Sequence, residues 1–225
     1  MSARLALYWA PELDDPLHAL GSTWLGRDAE TGASLPQPVV PGLDLAELTA
    51  DARGYGLHAT LKAPFRCNAP YAEVRDAAMA LAARTRPFLL PPLAAVDLGG
   101  FIALRETEPC PALHGFAEDC VAALDRFRQP PTEAELARRR PERLSPRQRQ
   151  MLEHWGYHYV FEEYRFHVTL TRRLAEAERA ALLPALHAHF GDVPARPRPV
   201  RFLCLFTQAA AGAPFLIAER LPLMG

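Results

Sequence analysis

Two tetrapeptides of similar composition, His58-Ala59-Thr60-Leu61 and His167-Val168-Thr169-Leu170, stand 109 positions apart in the chain. In an extended segment successive side chains point to opposite faces, so His58, Thr60 and Lys62 share one face while Leu57, Ala59, Leu61 and Ala63 share the other. In the second segment Arg165, His167, Thr169 and Thr171 lie together, opposite an apolar face of Phe166, Val168 and Leu170. Each segment therefore presents an imidazole, a hydroxyl and a cation in a row. Imidazole titrates at about pH 6.5, so one neutral ring can take a proton from an attacking water or hydroxyl while a second, protonated, gives one to a leaving oxygen. The threonine hydroxyls can donate to non-bridging phosphate oxygens, and Lys62 or Arg165 can offset the charge of the transition state. These are the groups that phosphodiester chemistry needs, and the scheme requires neither metal nor cofactor.

A single H-x-T-L is weak evidence, since one histidine in a strand is more often structural; two copies on equivalent strands carry the reading. The paired motifs resemble those of the two-histidine (2H) phosphoesterase superfamily, which includes RNA 2′,3′-cyclic phosphodiesterases and RNA-ligase-like proteins. More narrowly, YGLHATLKAPF together with LSPRQRQMLEHWGYHYVFEEYRFHVTLT resembles a bacterial branch whose genes often accompany phosphonate-degradation genes, and the similarity spans essentially the whole chain. The resemblance implies that His58 and His167 are the catalytic acid and base, without saying which is which, and that Thr60 and Thr169 contact the phosphate. It implies a small phosphorylated substrate: a cyclic phosphodiester on a nucleotide or a ribose phosphate, such as the phosphoribosyl 1,2-cyclic phosphate left by carbon–phosphorus lyase. Two other readings fit the same residues, a non-catalytic binding module for a nucleotide or phosphometabolite, and RNA-end ligation or cyclic phosphodiesterase action on a short RNA end.

The elements around the motifs repeat. Residues 4–10 read as a buried strand, and Asp14 or Asp15 caps a helix running to about Leu25. A proline-bearing loop follows from Gly32 to Gly42, then a short helix from Leu43 to Arg53 and the strand GLHATLKAPF. A helix over 71–86 is closed by Pro87, and a hairpin of LAAVDL and FIALRE turns at Gly99-Gly100. Leu113, Phe116, Cys120 and Leu124 mark an amphipathic helix over 111–128. The last third repeats the order with the strand EYRFHVTLT, a helix from about Ala175 to Phe190, and two strands near 200–207 and 214–220. This order predicts an α+β fold over residues 1–225: two similar lobes related by a pseudo-twofold, each an antiparallel sheet with helices on its outer face, enclosing a central cleft. Between the repeats, residues 129–156 read as an inserted, solvated connection rich in arginine (Arg138, Arg139, Arg140, Arg143, Arg147 and Arg149). It could close over the cleft as a lid, with Trp155, Tyr157 and Tyr159 stacking on a base or sugar, and Tyr157 is taken as a substrate contact with Lys62 and Arg165.

Composition narrows the partners. With 49% hydrophobic and 23% charged residues the chain can bury a core, and its formal net charge of −1 gives no global attraction to DNA or to an anionic membrane. Near neutrality also disfavours long RNA, which calls for a broad basic groove. Leu5 to Ala10 is too short for a signal-peptide core or a membrane span, and four scattered cysteines without a C-x-x-C pair suit a reducing, cytoplasmic setting. His154 and His158 have the spacing of a helical metal pair, but Gly156 lies between them and no further ligand completes a set. His187 and His189 suit the terminal carbonyls of their helix or water. Gly54-x-Gly56-x-x-Ala59 leads into a strand where a dinucleotide fingerprint needs a helix, which rules that motif out. Of 25 basic side chains only Lys62 is a lysine, which singles it out within the motif.

Overall fold

Runs of alternating apolar residues supply nine strands in a computed structural model, which describes residues 4–225; the first three residues of the expected domain lie outside it. The strands are β1 (Arg4–Trp9), β2 (Ala59–Arg66), β3 (Phe88–Leu90), β4 (Leu93–Asp97), β5 (Phe101–Glu106), β6 (Val168–Arg173), β7 (Arg198–Val200), β8 (Phe202–Gln208) and β9 (Leu216–Pro222). Seven of them form one antiparallel sheet in the order β4-β5-β6-β2-β1-β8-β9, while β3 and β7 pair as a separate ribbon. The helices are α1 (Pro16–Leu25), α2 (Leu45–Leu48), α3 (Ala50–Tyr55), α4 (Tyr71–Arg84), α5 (Pro111–Leu124), α6 (Glu133–Arg138), α7 (Pro146–Trp155) and α8 (Glu176–Phe190). The fold is α+β, with the main core between the helices and one face of the sheet. Leu5, Leu7 and Trp9 of β1, Leu61 of β2 and Leu203 and Leu205 of β8 pack there against Val74 and Leu81 of α4, Leu113 and Cys120 of α5 and Leu182 and Leu186 of α8. Full burial of each such side chain is worth about 1.5–3 kcal/mol. On the opposite face a smaller cluster gathers Ala6, Tyr8, Cys204, Phe206 and Phe215.

The two halves of the sheet, β4-β5-β6 and β2-β1-β8-β9, meet at one rung, Ala59 opposite Val168. Each half mixes both sequence repeats: the hairpin β4-β5 follows α4 in the chain yet pairs with β6, and β8-β9 follows α8 yet pairs with β1 beside β2. The pseudo-twofold thus relates exchanged parts, which ties the two motif strands together at the centre.

Several expected boundaries move. Both motif strands begin later than their apolar alternation suggests, at Ala59 and Val168, so each histidine stands one residue before its strand. The helix expected over 43–53 divides at Thr49, whose hydroxyl donates to the Leu45 carbonyl, and the one expected over 111–128 ends at Leu124 in a 3-10 turn. Gly99 and Gly100 make the turn between β4 and β5 with φ of 69° and 106°, the left-handed backbone that favours glycine. Residues 129–156 hold two capped helices instead of irregular chain: Thr132 and Glu135 form a capping box on α6, and Ser145 and Gln148 form another on α7, with Pro146 in its first turn.

Candidate active site

The rung between Ala59 and Val168 decides how the motifs meet. In an antiparallel pair it sets His58 across from Thr169 and Thr60 across from His167, so the four side chains share one face and the two histidines are diagonal neighbours. Their neighbours Ala59, Leu61, Val168 and Leu170 are buried in the helical layer, which leaves the polar face to the cleft. The local geometry is the same at both histidines. Nδ1 of His58 lies 2.9 Å from the Gly56 carbonyl, and Nδ1 of His167 lies 2.8 Å from the Arg165 carbonyl. A carbonyl only accepts, so each Nδ1 carries the proton and each neutral ring keeps Nε2 bare. Both rings are therefore in one tautomer, with the basic nitrogen free to exchange a proton. Thr60 Oγ1 is 3.4 Å from Nε2 of His58.

Aromatic packing makes the two imidazoles unequal. The His58 ring stacks on Tyr8 with centroids 3.9 Å apart and has Tyr55 at 5.7 Å. Burial lowers its pKa to about 4, against the opposing pull of the Gly56 carbonyl and with a further lowering from His167. Burial lowers His167 as well; the Arg165 carbonyl opposes that shift, the Arg105 charge adds to it and the Glu106 charge counters it. Arg105 and Glu106 are site neighbours that sequence reasoning missed. On β5 the pairing of Ala103 with Thr169 brings Arg105 across from His167, a register that the strand FIALRE alone does not reveal.

A second missed group holds the His58 loop. Gly56 has φ 79°, and a Cβ there would meet the Ala29 Cβ at 2.4 Å, so only glycine turns the chain in a way that aims its carbonyl at His58. The buried guanidinium of Arg27 donates to the carbonyls of Arg53 and Phe215 at 2.9 Å each and to that of Gly54 at 3.3 Å, fixing the end of α3 beneath the site. A rejected dinucleotide fingerprint thus contains a positioning turn.

The expected substrate contacts fall in three places. Lys62 is a correction: it is 3% exposed, and its Nζ donates to the Val121 carbonyl at 3.2 Å and to Asp125 at 3.0 Å. Register shifts explain this, because Tyr8 pairs with Thr60 but Leu7 with Lys62; the extra residue, a bulge at Leu61, breaks the alternation that put Lys62 on the His58 face. Arg165 is exposed, with its carbonyl on His167 and its guanidinium 5.1 Å from the Tyr159 ring. The half-buried Tyr157 carries Arg139 over its ring at 4.7 Å, and its charge would be felt by the Tyr8 hydroxyl, so it stands at the His58 side of the cleft. His154 and His158 do not share a helix, since α7 ends at Trp155 and Gly156 turns with φ 72°; among the described residues no cluster of three His, Cys, Asp or Glu could hold a metal ion. His189 reaches the Leu20 carbonyl of α1 at 2.8 Å, not the end of its own helix.

Residues 60–216 match the family model described as "Protein of unknown function (DUF1045)", a range that takes in β6 and all of β2 but its first residue. The chain belongs to this family. It is also 39% identical over 231 residues to a ribose 1,5-bisphosphate phosphokinase PhnN of Janthinobacterium sp. (strain Marseille), an alignment covering 99% of this chain and 51% of that protein. A protein of the same name from Laribacter hongkongensis (strain HLHK9) is 38% identical over 218 residues, 96% of this chain and 51% of that one. The chain spans about half the length of these relatives. Among solved structures it is similar to E. coli LigT bound to 3′-AMP, at 17% identity and a TM-score of 0.48 with 100% of each chain covered. A crystal structure described as a phosphoesterase is 15% identical with a TM-score of 0.46 and the same coverage. Among the described residues no helix is long and apolar enough to cross a membrane.

Proposed function

We propose that this chain is a metal-independent phosphoesterase that opens a cyclic phosphodiester on a ribose phosphate or small nucleotide by histidine acid–base catalysis. The observation that carries the reading is the matched pair of imidazoles, diagonal across one rung, each with Nδ1 tied to a backbone carbonyl and Nε2 unprotonated. His58, held near pKa 4 and so neutral at working pH, serves as the base; its Nε2 takes a proton from water as the water oxygen bonds to phosphorus. One ester P–O bond of the ring breaks, and Nε2–H of a protonated His167 gives its proton to the leaving ribose oxygen. Thr60 and Thr169 donate to the non-bridging oxygens, while Arg105 and Arg165 on the His167 side offset the charge that gathers there.

A ribose 1,2-cyclic phosphate is the favoured substrate. Breaking the O2–P bond of its 5-phosphorylated form leaves ribose 1,5-bisphosphate, the compound that the names of the half-matched relatives say they phosphorylate. Producing that compound would place this chain in phosphonate metabolism, directly ahead of such a kinase.

Turnover of 5-phosphoribosyl 1,2-cyclic phosphate and of 2′,3′-cyclic nucleotides, measured in EDTA, tests the proposal. Activity should survive the chelator and fall about a hundredfold or more in each of His58→Ala and His167→Ala. No turnover of any compound, with tight binding that both variants keep, would replace this reading with that of a binding module.

A further inference from the structure

Tyr55, whose ring is 5.7 Å from the His58 imidazole, also lines a cavity of about 250 Å³. Arg4, Arg66, Arg128, Arg138 and Arg139 line it together with Tyr55, and the carboxylates within reach are Glu135 in the wall and Asp125 bonded to Arg128. Five guanidinium groups against two carboxylates leave an excess of three positive charges in a protein whose formal net charge is −1. Most of that excess is uncommitted. Arg66 shares Glu135 at 3.3 Å and Arg128 is held bidentate by Asp125, but among the described residues no acidic side chain pairs with Arg4, Arg138 or Arg139. Arg4 donates to Gln208, Arg138 to a carbonyl of its own helix, and Arg139 lies on Tyr157.

A second observation points to the same place. Tyr8, the residue that stacks on His58, is fully buried, yet among the described residues its hydroxyl has no hydrogen-bond partner. Leaving a buried hydroxyl unpaired costs about 1–3 kcal/mol, so such a group usually has a partner that the free protein lacks. Burial raises the pKa of this hydroxyl, and the charges of Arg4 and Arg139 oppose that shift, so both guanidinium groups are near enough to act on it.

We infer that the arginine-lined cavity is a subsite for a second, non-reacting phosphoryl group of the substrate, with Arg139 and Arg4 as its principal cations and the Tyr8 hydroxyl as a donor on the path from His58. Guanidinium forks match phosphate oxygens in pairs, and a cavity of this size takes a phosphoryl group at the end of a sugar better than a nucleobase with its sugar. The inference deepens the proposed function and rests on it for the position of the reacting ester. It also gives the segment 129–156 a purpose, because α6 and the residue after it bring Arg138 and Arg139 to the cavity.

Binding and turnover separate the two claims. Calorimetry with ribose 5-phosphate should give the same Kd for the wild type and for His58→Ala, a Kd at least tenfold weaker for Arg139→Ala and Arg4→Ala, and partial rescue by Arg139→Lys. In turnover, Arg139→Ala should cut the preference for 5-phosphoribosyl 1,2-cyclic phosphate over ribose 1,2-cyclic phosphate at least tenfold, chiefly through KM. Ribose 5-phosphate binding that the arginine variants keep, or that His58→Ala abolishes, would place the monoester at the histidines and overturn the subsite while leaving the phosphoesterase reading intact. Binding that depends on Arg139 in a protein without turnover would do the reverse.

Discussion

His58 and His167 are chemically alike and differently housed, and that difference sets a pH dependence. Burial beside Tyr8 brings His58 down to about 4, and burial with Arg105 nearby also holds His167 below its ordinary 6.5. Under the proposed mechanism the base of the free protein must be unprotonated, which requires a pH above about 4, and the acid must be protonated, which requires a pH below the depressed value of His167. The profile of kcat/KM should therefore be a bell on the acid side of neutrality, its alkaline limb falling before about pH 6.5. A bound phosphate favours imidazolium, so the kcat profile should lie at higher pH. The two rings interact, so the limbs are properties of the pair. Measuring both parameters from pH 4 to 9 checks the assignment, and a kcat/KM maximum above 7 would contradict the depressed values. All four motif residues were legible in the sequence because strand alternation is local. Arg105, Arg27 and Gly56 were not, because each acts through a register or a close approach that only the fold supplies.

At the scale of elements, the strand β2 shows how alternation misleads. Its paired motif and apolar face are plain in the sequence, but nothing local marks the bulge at Leu61, and that one extra residue sends Lys62 to the end of α5. The lone lysine is thus a tie between β2 and α5. Lys62→Met should keep the stem's packing and lose the ion pair. Asp125 remains bonded to Arg128, so the loss of stability should be about 1–3 kcal/mol, below the range for stranding a fully buried charge. Urea unfolding with the kinetics of the folded fraction reads both effects: the midpoint should fall while kcat/KM stays within about twofold of the wild type. A large loss of kcat/KM at unchanged stability would return Lys62 to the phosphate. The helices of residues 129–156 were the opposite case. Their capping boxes, T-x-x-E after Pro130-Pro131 and S-x-x-Q with Pro146 directly after its serine, are local signals that the density of arginine obscured.

Taken as a whole, the protein holds several histidines neutral inside it, and this predicts a stability that depends on acidity before any carboxylate titrates. His58 and His158 are both brought down to about 4 by burial, the latter with help from Arg139, and His167 is lowered too. In the unfolded chain each would titrate near 6.5. Above about pH 6.5 both states leave these rings unprotonated and the native state has its full stability. As the pH falls below that value the unfolded chain takes up protons that the native protein refuses, so stability is lost progressively until the folded values near 4 are reached. Carboxylates held low by ion pairs, such as Asp125 with Arg128 and Lys62, add their own loss only below their ordinary range, so histidines alone govern the interval from 6.5 to about 5. The expected loss from pH 7 to 5 is about 2 kcal/mol for each ring held near 4, or of the order of 4 kcal/mol in total, measured as the shift in urea midpoint at constant ionic strength. His58→Gln, which cannot titrate, should show a shallower dependence than the wild type over the same interval. Equal slopes in the two proteins would mean that the His58 ring is not held neutral by its surroundings. A phosphorylated ligand should flatten the wild-type curve by favouring the imidazolium forms, and that links the acid sensitivity of the fold to occupation of the cleft.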